Sequence, residues 1–250
     1  MHLSTDALRW PDGVGRRVLP TVDSTMSEAA RVAASSALPQ WILALSQSAA
    51  HGRRGRPWSM PAGNFAATLL MFPKEAPAGV ALRSFVASLA LYDAFVTVTG
   101  RSAPFALKWP NDVLLNGGKV AGILLERGPA HLAIGIGINL AVAPGAADVE
   151  PGAVPPVSLV HETGARVAPE DFLDILAPAF AHWEAQFTAY GFAPIREAWL
   201  ARAARLGEPI RARTLREEHH GTFEGIDSAG NLVLAAPSGR LTIPAAEVYF

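Results

Sequence analysis

The 250-residue chain has no cysteine. That excludes a disulfide framework, thiolate catalysis, zinc–thiolate sites and iron–sulfur clusters, and it fits a reducing compartment. A dominant charge is missing too: 21 Lys and Arg face 22 Asp and Glu, for a net charge of −1. No overall field therefore draws the chain to nucleic acid or to an anionic membrane. No run of 18 apolar residues occurs, so no bilayer-spanning segment is expected. The opening stretch, Met1–Gly13, puts Asp6 where a secretory signal would have its apolar core. The expected compartment is the cytoplasm.

Lysine is the scarcest charge. Only Lys74, Lys108 and Lys119 occur, against 18 arginines. A chain that uses Arg almost everywhere keeps Lys where Arg would not serve, and two of the three lie eleven positions apart. The rest of the composition is globular, with 50% apolar and 17% charged residues. A chain of this length buries roughly 70–75% of its unfolded surface, enough for a core without covalent staples.

The pattern predicts an α/β fold followed by a small β module. Arg16–Val22 reads as a strand. Thr25-x-x-Glu28 reads as a capping box, placing a helix start near Ser24. Trp41–Leu45 and Phe65–Phe72 read as strands on either side of a long loop, Ser48–Gly63. Gly79–Thr97 has helical periodicity. Phe105–Trp109, Asp112–Leu115, Lys119–Glu126 and His131–Asn139 form a run of strands, with Asn116-Gly117 as a hairpin turn. Ala141–Pro156, with four prolines, reads as a surface loop. Glu170–Tyr190 and Pro194–Arg205 read as helices. Short strands follow: Ile210–Leu215, Gly221–Ile226, Leu232–Leu234, Arg240–Ile243 and Val248–Phe250. A boundary near residue 206 is expected.

Four segments carry chemistry. In His51-Gly52-Arg53-Arg54-Gly55-Arg56-Pro57-Trp58, glycines let backbone N–H groups approach an anion, and arginine forks match phosphate or carboxylate oxygens. It is not a Walker loop. Lys108-Trp109-Pro110-Asn111-Asp112 ends a strand with three polar side chains at its tip. Gly117-Gly118-Lys119-Val120-Ala121-Gly122-Ile123-Leu124 opens a strand with Lys119 and leaves room at Gly122. Gly135-Ile136-Gly137-Ile138-Asn139 alternates glycine on one face, which predicts a close approach there by a ligand or another backbone. It lacks the third glycine of a dinucleotide fingerprint. His161-Glu162 has no second histidine at the spacing of a metalloprotease helix. Glu217–His220 reads as a solvated turn.

In this order and spacing the segments resemble the biotin protein ligase family, from about Val18 to the C-terminus. The Lys-Trp-Pro-Asn-Asp segment followed by Gly-Lys-Val-Ala-Gly-Ile-Leu is the most specific part. The resemblance implies a mixed β-sheet backed by helices in a class II synthetase-like ligase domain, residues 1–206. It implies a C-terminal SH3-like β-barrel, residues 207–250. It implies that biotin is activated by ATP as biotinyl-5′-AMP and passed to a lysine of a biotin carboxyl carrier domain. Lys119 and Arg53 are then the catalytic cations. Ser24, Thr25, Gln47, His51, Gly52, Arg53, Lys119, Gly122, Gly135 and Gly137 line the biotin site. Arg54, Arg56, Trp58, Lys108, Trp109, Asn111, Asp112 and Asn139 serve ATP. Mg²⁺ follows from the ATP chemistry, with Asp112 as a candidate ligand. The stretch before the first strand is too short for the DNA-binding helix-turn-helix of some members, so neither DNA nor membrane is an expected partner. Monomer and homodimer both remain open.

Two departures stand out. His51 replaces an Arg, and Met26 replaces the Asn that usually follows Ser-Thr. The alternatives are a lipoate or octanoate ligase of the related fold, whose members generally lack the Gly52–Trp58 loop in this form, and a non-catalytic biotin or nucleotide sensor.

Overall fold

A computed structural model of the chain describes residues 9–145, 152–214 and 216–250, apart from the Arg53 side chain. The expected surface loop at 141–156 therefore falls partly outside the described residues.

The first part forms a seven-stranded mixed sheet. Its strands are β1 (Gly15–Leu19), β2 (Gln40–Ala44), β3 (Phe65–Met71), β4 (Phe105–Lys108), β5 (Asp112–Leu115), β6 (Gly118–Arg127) and β7 (Leu132–Ile138). Their spatial order is β1-β2-β3-β7-β6-β5-β4. Only β1 and β2 pair in parallel, which requires a crossover, and α1 (Thr25–Val32) supplies it. The helix is capped by Ser24, whose hydroxyl accepts from the Met26 N–H. The expected box at Thr25 is displaced by one residue. Glu28 does not reach back to the cap; it pairs with Arg17 and Arg31.

The two faces of the sheet are covered differently. Trp41, Leu43, Phe65, Ala67, Leu69, Ile134, Ile136 and Ile138 point to the main core, shared with α3 (Arg83–Thr99) and α5 (Pro169–Tyr190). Trp41 meets Phe180 edge-on and Phe65 meets Phe172. The opposite face is covered at one end by α1, where Met26, Ala29, Ala33, Ile42, Leu70 and Ala133 form a smaller cluster.

The expected helix 79–97 is two helices, α2 (Pro77–Ala81) and α3, which meet at Leu82. Together they are long and apolar enough to cross a membrane, but most of their surface is buried under the sheet. A short α4 (Leu159–Thr163), capped by Ser158, was not legible in the sequence pattern. The last helix, α6 (Phe192–Leu200), stops earlier than the expected Arg205. Beyond it, residues 202–204 bond to Leu107 at the edge of β4.

After Gly207 the chain forms a second, antiparallel sheet of β8 (Pro209–Arg213), β9 (Glu218–Ile226), β10 (Leu232–Ala236), β11 (Gly239–Ile243) and β12 (Glu247–Tyr249). Its order is β11-β10-β9-β8-β12. Glu218–His220 lie within β9, not in the solvated turn that the sequence suggested, because they pair with Arg211–Arg213 of β8.

Candidate active site

Sheet register assembles the site. Lys108 pairs with Asp112, Asp112 with Gly122, Gly122 with Gly137, Gly137 with Ala66 and Ala66 with Ala44. Paired residues share a face. One row therefore runs across the sheet from a charged end through a floor of glycine and alanine. In the adjacent row Gly135 pairs with Thr68.

Side chains of the chain itself stand on the two glycines of β7. A Cβ at Gly137 would lie 2.5 Å from Trp58 Cε2, and one at Gly135 would lie 2.6 Å from Met26 Sδ. The alternate glycines do mark a close approach, but its nearest partners are Trp58 and Met26. Trp58 also covers Gly122, where a Cβ would be 3.3 Å from its ring and 3.3 Å from Lys119 Nζ.

Lys119 lies at the charged end of the row. Its Nζ is 2.7 Å from Asp112 Oδ1 and 5.7 Å from the centre of the Trp58 ring. Its backbone is held on both sides, donating to Pro155 O at 2.8 Å and accepting from Val157 N at 3.0 Å. Lys108, nearly buried, lies 3.6 Å from the other Asp112 oxygen. Asp112 thus stands between two ammonium groups and orients them. That setting does not fit a magnesium ligand, since the carboxylate's charge is already matched twice. Among the described residues no group of three His, Cys, Asp or Glu side chains converges on a metal position.

A polar cluster lies where α1 meets the sheet. Gln47 Oε1 accepts from the Thr25 N–H at 2.7 Å, and Thr68 Oγ1 donates to Thr25 Oγ1 at 2.8 Å. Ser24, Thr25 and Thr68 are buried. Thr68 was not singled out in the sequence. Its signal there is one hydroxyl inside the apolar strand FAATLLM.

The arginine loop folds back on itself. His51 bridges Pro57, Gly52 N donates to Arg56 O at 2.7 Å, and Trp58 N donates to Ala50 O at 2.9 Å. Arg54 takes a left-handed backbone, φ 60°, just before Gly55. Arg54 and Arg56 both reach Glu247 of β12, at 3.2 and 3.1 Å. Glu247 also holds Arg213 at 3.2 Å and accepts from the Tyr249 hydroxyl at 2.9 Å. Burial pushes the Glu247 carboxyl up. The Tyr249 hydrogen bond and the charges of Arg56, Arg213 and Arg54 outweigh it and hold the group below the usual glutamate range. Nothing in the local sequence marks Glu247 as an anchor of the loop, because Arg54 and Arg56 lie about 190 residues upstream.

Other expected site residues have different partners. His51 pairs with Glu126 at 3.2 Å on β6. Asn111 straps β6: its side-chain amide donates to Ile123 O, and its backbone carbonyl accepts from Ile123 N. Asn139 is buried and donates to Val157 O at 3.2 Å, leaving its Oδ1 without a hydrogen-bond partner. Trp109 belongs to the core and its indole N–H donates to Gly230 O at 3.0 Å, so it presents no face to a nucleotide. Arg53 lies in the loop, but its side chain is outside the described part of the structure.

Comparison with known proteins fits this geometry. Residues 18–140 match the biotin/lipoate A/B protein ligase family, and residues 206–250 match the biotin protein ligase C-terminal domain. A biotin–[acetyl-CoA-carboxylase] ligase of Paracoccus denitrificans is 60% identical over 238 residues, covering 93% of this chain and 99% of that one. The chain belongs to the biotin protein ligase family. More distantly, the ligase is 27% identical to the bifunctional ligase/repressor BirA of Escherichia coli over 89% of its own length and 70% of that protein's. A solved structure of the biotin protein ligase from Aquifex aeolicus in complex with biotin and ATP superposes with a TM-score of 0.82. It covers 94% of the ligase and 97% of that chain, at 24% identity, a likeness of fold.

Proposed function

We propose that the protein is an ATP-dependent biotin–protein ligase that modifies the biotin carrier domain of an acetyl-CoA carboxylase. The observation that carries this is Lys119, fixed by Asp112 at the charged end of a glycine floor, in a chain 60% identical to a ligase of that activity. In the first step a biotin carboxylate oxygen bonds to the α-phosphorus of ATP, and the bond to the bridging oxygen breaks, releasing pyrophosphate. In the second, a carrier lysine amine attacks the mixed-anhydride carbonyl, loses a proton and expels AMP.

Lys119 lies at the carboxylate and α-phosphate, where it offsets the charge that builds as two anions approach. Arg53 joins it from the loop. Ser24, Thr25 and Gln47, with Thr68 behind them, receive the ureido end of biotin. The rows of Gly122, Gly135 and Gly137 form the floor. Trp58 walls it, and the Arg54–Arg56 segment covers the nucleotide. Asp112, already matched by Lys108 and Lys119, would offer no ligand to a magnesium ion carried by the triphosphate, whose chemistry would be to offset phosphate charge. The catalytic part ends near residue 206 and the small β module begins at 207. The cytoplasm is the compartment in which ATP and the carrier meet it.

Biotin-dependent exchange of pyrophosphate into ATP, run beside lipoate and octanoate, tests the reading. Exchange with biotin alone is the expected result. Exchange driven by lipoate or octanoate would replace it with the related acyl ligase, and tight biotin binding without exchange would make the protein a sensor.

A further inference from the structure

Met26 occupies a place that the rest of the α1 cap does not explain. Its neighbours Ser24 and Thr25 are engaged in hydrogen bonds with the helix start, Gln47 and Thr68. Met26 itself is buried, 4% exposed, and joins Ile42, Leu70 and Ala133 under the helix. Its Sδ ends over Gly135, 2.6 Å from where a Cβ would be, with Cγ at 3.0 Å. Gly135 and Gly137 lie on one face of β7, two residues and so roughly 7 Å apart along the strand, and Met26 and Trp58 each stand on one of them. Lys119 is on the Trp58 side and the Thr25–Gln47–Thr68 cluster is on the Met26 side.

We infer that Met26 sets the depth of the pocket at the ring end of biotin, and so determines which ring chemistry the ligase accepts. The inference rests on the proposed biotin function and adds to it a specificity residue. A thioether is polarizable, weakly accepting and unable to donate. It suits an apolar ring edge such as the thioether ring of biotin, and it leaves the ureido group to the hydroxyl and amide cluster beside it. A ring bearing sulfone oxygens meets no donor at Met26 and must lose its hydration there. Methionine also has three rotatable bonds, so its end can be replaced by smaller or polar groups without moving the helix.

The test compares kcat/KM for biotin and for biotin sulfone in pyrophosphate exchange. Wild type is expected to favour biotin strongly. Met26→Ala, which empties the space over Gly135, should reduce that preference at least tenfold while retaining exchange with biotin. Met26→Gln offers an amide donor at similar length and should do the same, which covers the case in which the alanine variant folds poorly. Met26→Leu keeps an apolar end and should keep the preference. If the two substrates change by the same factor in the alanine and glutamine variants, Met26 only seats α1 and the inference falls. If wild type itself shows no exchange with biotin, the functional reading fails instead, and that result is distinct.

Discussion

Lys119 keeps an ammonium in a chain that uses guanidinium almost everywhere else. Asp112 shows why the difference matters. A compact Nζ fits 2.7 Å from its carboxylate and against the Trp58 ring at once. A planar guanidinium is wider and would hold apart two anions that must come within bonding distance. Loss of such a preorganised cation costs about 3–4 kcal/mol in the transition state. Lys119→Gln is therefore expected to slow single-turnover formation of biotinyl-AMP by ~10²–10³. Lys119→Arg should recover little of it, and melting should stay near wild type for both. Near-normal rates in the arginine variant would sink the geometric argument. Gly137 permits a second prediction. Gly137→Ala drives a methyl into Trp58, which sits on a loop and can yield. Biotin KM should then rise with little change in Tm; an unchanged KM would remove Trp58 from the pocket wall. The need for glycine was legible from the alternation alone. What stands on it was not, since Met26 and Trp58 are over 70 residues away in the chain.

At the scale of elements, the strands were the most legible. Period-two patterning and the Asn116-Gly117 turn, with φ of 49° and 81°, fix the β5–β6 hairpin locally. The break between α2 and α3 was not legible, because the apolar pattern runs across it. The arginine loop is the instructive case. Its composition suggests a segment with nothing to hold it until an anion arrives. The structure gives it an anion already: Glu247, which holds Arg54 and Arg56 against β12. Pairs as exposed as these contribute about 1 kcal/mol at most, or about fivefold in the open fraction. Glu247→Gln is expected to raise proteolytic cutting within residues 49–60 by up to that factor. Biotin with ATP should suppress cutting in both proteins. Cutting unaffected by the substitution would mean that the loop is held by its own hydrogen bonds. The same anchor predicts a pH dependence. Because Glu247 is held below the usual range, its contribution is complete above the ordinary glutamate value of about 4.3 and is lost as pH falls through the depressed one. Loop cutting by an acid-tolerant protease should be flat from neutral pH down to that range and increase below it, and the glutamine variant should lack the increase.

The whole molecule reads as two modules in sequence, since the pattern shifts to short strands after Gly207. In the fold they share a core that sequence could not show. Ile210, Ala212, Phe223, Ile226, Leu232, Leu234 and Val248 join the same apolar cluster as Leu107 and Trp109. The clearest link is the Trp109 N–H on Gly230 O. Gly230 is presented by a tight turn. Asp227 Oδ1 accepts from Ala229 N and Asn231 N, and Oδ2 accepts from the Asn231 amide. With φ of 81° and a Cβ that would meet Phe85 and Leu82 within 3 Å, Gly230 has no substitute. The same Trp109 sits one residue after Lys108, whose ammonium faces Asp112. The link that joins the modules is thus adjacent in sequence to the charged end of the site. Unfolding should therefore be a single transition, with tryptophan fluorescence and far-ultraviolet circular dichroism giving the same midpoint. Trp109→Phe replaces the indole with a smaller phenyl ring and removes the N–H, leaving a buried carbonyl unpaired at a cost of about 1–3 kcal/mol on top of the lost packing. At this chain length that lowers Tm by about 2–12 °C. If the modules are coupled through this bond, the variant's two probes should also separate, because the small β module loses its polar tie to the body. Two separate midpoints in the wild-type protein would show that the shared core does not make the modules one cooperative unit.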